Sequence, residues 1–354
     1  CAGNNTGTCL VITYLVQSGA MSLTAFIPSF LTISRYPLNI YFLLFILIVF
    51  GACAQENAQV QKPGQSGEKA QLVRAEVTKP AIRNRRHAYF GDLHVHTAYS
   101  LDSYINFNPI GPADAYRFAM GEEVTLSGGR KLKLGQALDF AAVTEHGEYL
   151  GELALCLDMN TVQYSQTLCQ NIRNENRQLG LIGKIFKTLI IRDVLSPEPE
   201  REKKLCSNDG HDCLDRAYSV WQELQDISND FYQPGNFTTF IAYEWTGNTN
   251  GNNLHRNIIF RNRHVLPMPI SYFEANTPEK LWRQLRDKCK APCELISIPH
   301  NSNQSNGQQF PRIERSARSL ELADLRRQLE PLVEIIQAKG DSECHTGYGT
   351  ADEF

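Results

Sequence analysis

The sequence predicts an α/β fold with a largely parallel sheet whose strand ends gather on one face. Two observations carry this. From Ala88 onward, short apolar runs of strand length alternate with segments of helical period. Most of those runs stop at a histidine or an acid. Polar residues at successive strand ends mark a barrel-type site, because the loops that follow the strands form one face.

Upstream of that pattern lies a different kind of chain. The first 53 residues hold one charged side chain, Arg35, and the run Tyr41–Phe50 ("YFLLFILIVF") is almost wholly apolar. A positive residue, a short apolar core and then small residues before Cys53 read as a signal peptide of lipoprotein type, with Cys53 as the lipidated first residue. An uncleaved anchor is the competing reading, since Leu10–Ile33 carries no charge and is long enough to span a membrane. Met21 is an alternative start. Both readings place the rest of the chain in the cell envelope or outside the cell, tethered to a membrane. Residues 54–87 are polar and form a tether. The domain proper is then 88–354.

Its first strand is "YFGDLHVHTAYSLD", Tyr89 to Asp102. Alternate residues of a strand point the same way, so His94 and His96 can ligate one metal ion. "LDFAAVTEH" is an apolar strand ending at Glu145-His146, and "FTTFIAYEW" carries Glu244 near its end. "HRNIIF" starts at His255, and "LISIPH" ends at His300. "PLVEIIQAKG" is a further strand, with Glu334 inside it. In "TPEKLWRQLRDKC", Thr277 serves as N-cap, Pro278 takes the first helical position, and Leu281 and Leu285 are four apart. "LDRAYSVWQELQDISNDFY" has a similar period. Residues 150–232 contain no strand with a ligand at its end and read as a helical insertion.

Composition narrows the class. The 354 residues are 42% hydrophobic and 21% charged, with net charge −3. That is globular, and no basic excess points to nucleic acid. Ten cysteines fit an oxidising compartment, with Cys206/Cys213 and Cys289/Cys293 the closest pairs in sequence. No Cys-x-x-Cys pair exists to hold zinc through thiolates, and no Gly-x-Ser-x-Gly elbow is present. Of nine histidines, five belong to the strand-end set, and His87, His211, His264 and His345 read as surface or structural.

In order, "DLHVHTAYSLD", "AVTEH", "YEW", the histidine of "LHRNIIF" and "IPHNSN" resemble the successive motifs of the PHP metallohydrolase superfamily. The closer resemblance is to domain-of-unknown-function family 3604, strengthened by "VEIIQAKGDSEC". It runs from about Tyr89 to the C-terminus. It implies a PHP-like distorted (β/α)7 barrel and a site with two or three divalent ions: zinc, manganese or iron. By that resemblance His94 and His96 hold one metal, Asp102 reaches a second, His146 and, less directly, Glu145 join them, Glu244 bridges, and His255 and His300 complete the set. The late Asp-x-His pair of the superfamily is missing from this chain. The barrel is therefore expected to be incomplete at the C-terminus, the sequence being a gene product cut short at Phe354.

Imidazole and carboxylate ligands suit those metals, and a shared carboxylate lets two cations sit close. The expected reaction is hydrolysis by metal-bound hydroxide, with Glu244 and Asp102 as the catalytic carboxylates. A small anionic substrate, a phosphoester first, follows from the resemblance. Arg256 either contacts such an anion or is structural. Two alternatives stand: an amidohydrolase-like enzyme cleaving C–N bonds, and a surface lipoprotein that binds ligand on a degenerate barrel without catalysis.

Overall fold

Ala88–Val95 (β2), Phe140–Val143 (β5), Thr238–Trp245 (β6), Arg256–Phe260 (β7) and Leu295–Pro299 (β8) form a curled, half-barrel sheet in a mixed α/β chain. The computed structural model describes residues 9–12, 87–173, 196–311 and 316–341. All of these belong to one unit, Cys1–Gln17 with Arg86–Phe354. Most of the leader, with Tyr41–Phe50 and Cys53, lies outside the described residues, as do the tether up to Arg86 and the C-terminal stretch after Asp341. From the first segment, Cys9–Ile12 (β1) runs parallel beside β2, with Cys9 opposite Ala88. Among the described residues two short hairpins complete the strands: Val124–Thr125 (β3) with Lys131–Leu132 (β4), and Ile336–Gln337 (β9) with Gly340–Asp341 (β10).

The sheet is less parallel than the sequence predicts. β2, β5 and β6 are parallel, but β7 is antiparallel to both β6 and β8. The cause is the length of the β6–β7 link. A parallel return needs a crossover of a dozen or more residues, and only ten separate Trp245 from Arg256. The reversal sets the start of β7 at the rim where β5, β6 and β8 end. The second departure is "PLVEIIQAKG". Only Ile336–Gln337 and the last residue, Gly340, are strand there, and Glu334 lies in an irregular strap, its amide bonding the Pro299 carbonyl at 3.1 Å.

Strand alternation sorts the side chains into two layers. Leu93, Phe140, Ala142, Ala242, Ile259 and Ile298 pack together on one face. On the other, Ile241, Tyr243 and Trp245 of β6 meet Trp221, Leu224 and Leu281 from the helices. His211–Asp230 supplies Trp221, and its buried residues Cys213, Ala217, Val220, Trp221 and Leu224 recur three or four apart. Leu150–Leu157 lies against it so closely that a Cβ on Gly151 would sit 1.9 Å from the Cys213 carbonyl oxygen, which is why glycine stands there. Pro278–Lys288 starts as its sequence predicts: the Thr277 hydroxyl accepts from the Lys280 amide, and Leu281, Trp282 and Leu285 are buried. Disulfides join Cys156 to Cys169, Cys206 to Cys213 and Cys289 to Cys293.

Candidate metal centre

The layering of the strands determines which side chains reach the rim. On β6, Glu244 follows Ala242 on the inner face. His146 has the parity of Phe140 and Ala142, His255 that of Ile259, and His300 that of Ile296 and Ile298. All four therefore extend from the inner layer. On β2 the alternation is broken. A bulge between Asp92 and Val95 shifts the register, and the His94 amide bonds the Asp92 carboxylate at 2.9 Å. Bulges re-aim side chains next to sites, and here the result brings the His94 and His96 Nε2 atoms to 3.1 Å.

Glu244, fully buried, is the hub. Its Oε2 lies 2.8 Å from His96 Nε2, 3.2 Å from His94 Nε2 and 3.6 Å from His300 Nε2. Its Oε1 lies 2.7 Å from His255 Nδ1 and 3.5 Å from His146 Nδ1. Thus each oxygen of one carboxylate faces its own set of imidazoles. Asp102 stands at the mouth, its side chain 57% exposed, with Oδ1 3.4 Å from His146 Nε2 and 3.8 Å from His96 Nδ1.

Several side chains orient these rings from behind. Ser100 Oγ is 3.1 Å from His96 Nδ1, Thr246 Oγ1 2.5 Å from His146 Nδ1, and Asn248 Oδ1 3.0 Å from His255 Nε2. Glu334 Oε1 is 2.7 Å from His94 Nδ1, and its Oε2 accepts from the Asn301 amide. A carboxylate on the far nitrogen of a metal-binding imidazole fixes its tautomer and raises its basicity. Glu334 is the residue the sequence reading left out of the site. The signal was there, an acid inside an apolar run like the other ligands.

Glu145 needs a correction. It was expected beside His146 among the ligands, but among the described residues it belongs to none of the candidate ligand clusters. Its carboxylate accepts from the Thr97 amide and from the Thr97 and Ser100 hydroxyls. Parity explains this: Glu145 continues Ala141 and Val143, which pack on the opposite face with Tyr116 and Phe237. Its part is to hold Ser100 against His96. Arg256 is likewise turned away from the centre, paired with Glu330 between the Trp245 and Trp282 rings.

These residues fit divalent cations. Around Glu244 the donor groups are His94/His96/Glu244, Glu244/His255/His300, His96/Asp102/His146 and His94/His300/Glu334. Donors sharing one tetrahedral cation at ordinary bond lengths stand about 3.3 Å apart, close to the spacings among His94, His96 and Glu244. Among the described residues the Nδ1 of buried His300 finds no hydrogen-bond partner. The electrostatics call for positive charge. Burial opposes protonation of His94 and His146, yet Glu244 and Glu334 around His94, and Glu244 and Asp102 around His146, push both up to about 10. Burial and neighbouring cationic groups push His300 and His255 down despite Glu244. Burial works against ionised Glu244, but His300, His146 and His96 hold it well below the usual carboxylate range.

Protons would therefore compete with a metal at these nitrogens. Loading with zinc near pH 7 is expected to release protons from His94 and His146, and affinity should climb as pH rises from 7 towards 10. Titration calorimetry in buffers of different ionisation enthalpy reads the release. The same heat in every buffer would contradict it.

Fold and site together define an α/β protein with a histidine- and glutamate-rich candidate metal centre at the rim of a curled sheet. The profile of the family described as "Protein of unknown function (DUF3604)" matches residues 83–354. The chain belongs to that family. No curated protein and no solved structure is similar enough to count as a match.

Proposed function

We propose that the chain is a metal-dependent hydrolase of the PHP type, acting on a small anionic substrate, a phosphoester first. The observation that carries this is Glu244, whose two oxygens face two separate sets of imidazoles. Two or three zinc, manganese or iron ions would be held by His94, His96, Asp102, His146, Glu244, His255 and His300. When bound, such ions lower the pKa of water and neutralise charge developing on the attacked group. The chain's own part is positional. Glu244 sets the spacing of the two halves, and Ser100, Thr246, Asn248 and Glu334 fix the rings. Asp102 faces the entrance. Partial desolvation opposes its ionisation, but His146 and His96 keep it below the usual carboxylate range, which suits a ligand better than a proton acceptor.

The C–N hydrolase reading is weaker. Its barrels often bridge metals with a carboxylated lysine, and here Glu244 occupies the bridge, while Lys339 Nζ is bonded to Asn253, Asn301 and Asn303. We place the protein outside the cytoplasm, tethered by an N-terminal lipid or anchor. The three disulfides support an oxidising compartment. No helix among the described residues is long and apolar enough to cross a membrane.

The test is elemental analysis of the purified full chain, followed by phosphomonoester and phosphodiester panels with and without chelator. Turnover that disappears with chelator and returns with zinc or manganese is expected. A chain that binds no metal, or hydrolyses nothing when loaded, would overturn the proposal.

A further inference from the structure

We infer that Lys339 is the tethered cation of an oxygen nest that holds the segments bearing His255 and His300 in place, a positioning residue for metal uptake. The inference rests on the metal-centre reading above. Lys339 Nζ donates to Asn253 Oδ1 at 2.7 Å, to the Asn301 carbonyl at 3.0 Å and to the Asn303 carbonyl at 2.6 Å. An ammonium has three protons to give, and all three are taken, so this lysine is not a free cation for substrate.

Its partners lie next to ligands. Asn253 is two residues before His255, and Asn301 directly follows His300. Lys339 itself is five residues beyond Glu334, on the same strap. One ammonium thus ties the start of β7, the loop after β8 and the strap that orients His94. The backbone reinforces it: Asn301 Nδ2 donates to the Gly340 carbonyl at 2.9 Å and Asn303 Nδ2 to the Lys339 carbonyl at 3.1 Å. Gly340 has φ +117°, and a Cβ there would come 2.7 Å from Asn303 Nδ2, so the strap lies against the loop. Carbonyl and amide oxygens turned on one point repel each other unless a cation sits among them. Oxygens so arranged can replace the hydration shell of a potassium ion, and potassium and ammonium are close in size.

The experiment uses the full chain and zinc or manganese alone as probe, with affinity read by competition against a chromophoric chelator. In choline chloride, Lys339→Ala is expected to bind about ten- to a hundredfold more weakly than the parent, the loss typical of removing an outer support. Ammonium or potassium chloride should restore most of it, while the parent protein ignores the choice of salt. A purely structural lysine would give no such rescue. Lys339→Arg should lose affinity without rescue, because its own charge blocks the nest and its planar fork does not fit it. Unchanged affinity in Lys339→Ala, or a loss that no monovalent cation repairs, would overturn the inference. If Lys339→Ala does not fold in choline, refolding yield in ammonium against choline reads the same point, and equal yields overturn it. If the parent binds neither metal, it is the metal-centre reading that fails. The nest is then judged by the thermal midpoint of Lys339→Ala: a rise with potassium or ammonium supports it, and indifference overturns it.

Discussion

Glu244→Gln is expected to strip the centre of metal while leaving the fold in place. Glutamine matches glutamate in shape, so the inner layer around Ala242 stays packed. What is lost is one negative charge and one acceptor oxygen at a point where five imidazoles converge within 3.6 Å. One half of the site would then face an amide N–H₂, which donates and cannot ligate. Removing an outer support of a metal site costs about ten- to a hundredfold, so loss of the shared carboxylate should cost roughly a hundredfold or more in affinity and in any hydrolysis. His94 and His146 would also lose the partner that favours their protonated forms. Elemental analysis beside circular dichroism reads both halves of the prediction. A fully metallated, equally active Glu244→Gln protein would sink the bridging role.

How much of this was legible beforehand follows from what is local in the chain. Strand ends are local, so the positions of His94, His96, Glu244, His255 and His300 could be read from the apolar runs beside them. His255 sits at a strand start rather than an end, and the short link that reverses β7 puts it on the same rim. The Glu145/His146 pair shows a signal present but unused. Adjacent residues on an extended segment face opposite ways, so only one could enter the site, and the parity of Phe140 and Ala142 selects His146. Glu334 and Lys339 were not legible in that way. Their roles depend on a strap folding back over the loop after β8, through contacts such as Glu334 with His94 across 240 residues of sequence. Nothing in the periodicity of "PLVEIIQAKG" encodes that return. The bulge in β2 is similar: only pairing with β5 reveals it.

The largest stability effect is expected from Glu330→Ala. Arg256 is 1% exposed and Glu330 2%, with Nε and Oε1 2.5 Å apart. The same oxygen accepts from Trp282 Nε1 at 2.7 Å, and Oε2 accepts from Arg326 Nε at 2.8 Å. Both guanidiniums lie over the Trp282 ring. Deleting the carboxylate therefore leaves two neighbouring cations, one fully buried, without their common counter-ion. Breaking a buried pair from one side costs about 3–5 kcal/mol, because the remaining charge has lost its water as well as its partner. Replacing both members by apolar residues of similar volume, as in Arg256→Met with Glu330→Leu, should cost much less, since no unpaired charge remains in the pair. Denaturant unfolding in chelator separates this from metal linkage. The single variant should also load metal poorly once refolded, because Arg256 follows His255 and Glu330 leads into the strap bearing Glu334. A single variant losing under about 1 kcal/mol, the range of exposed ion pairs, would mean that water reaches Arg256 and that the pair does not anchor the start of β7.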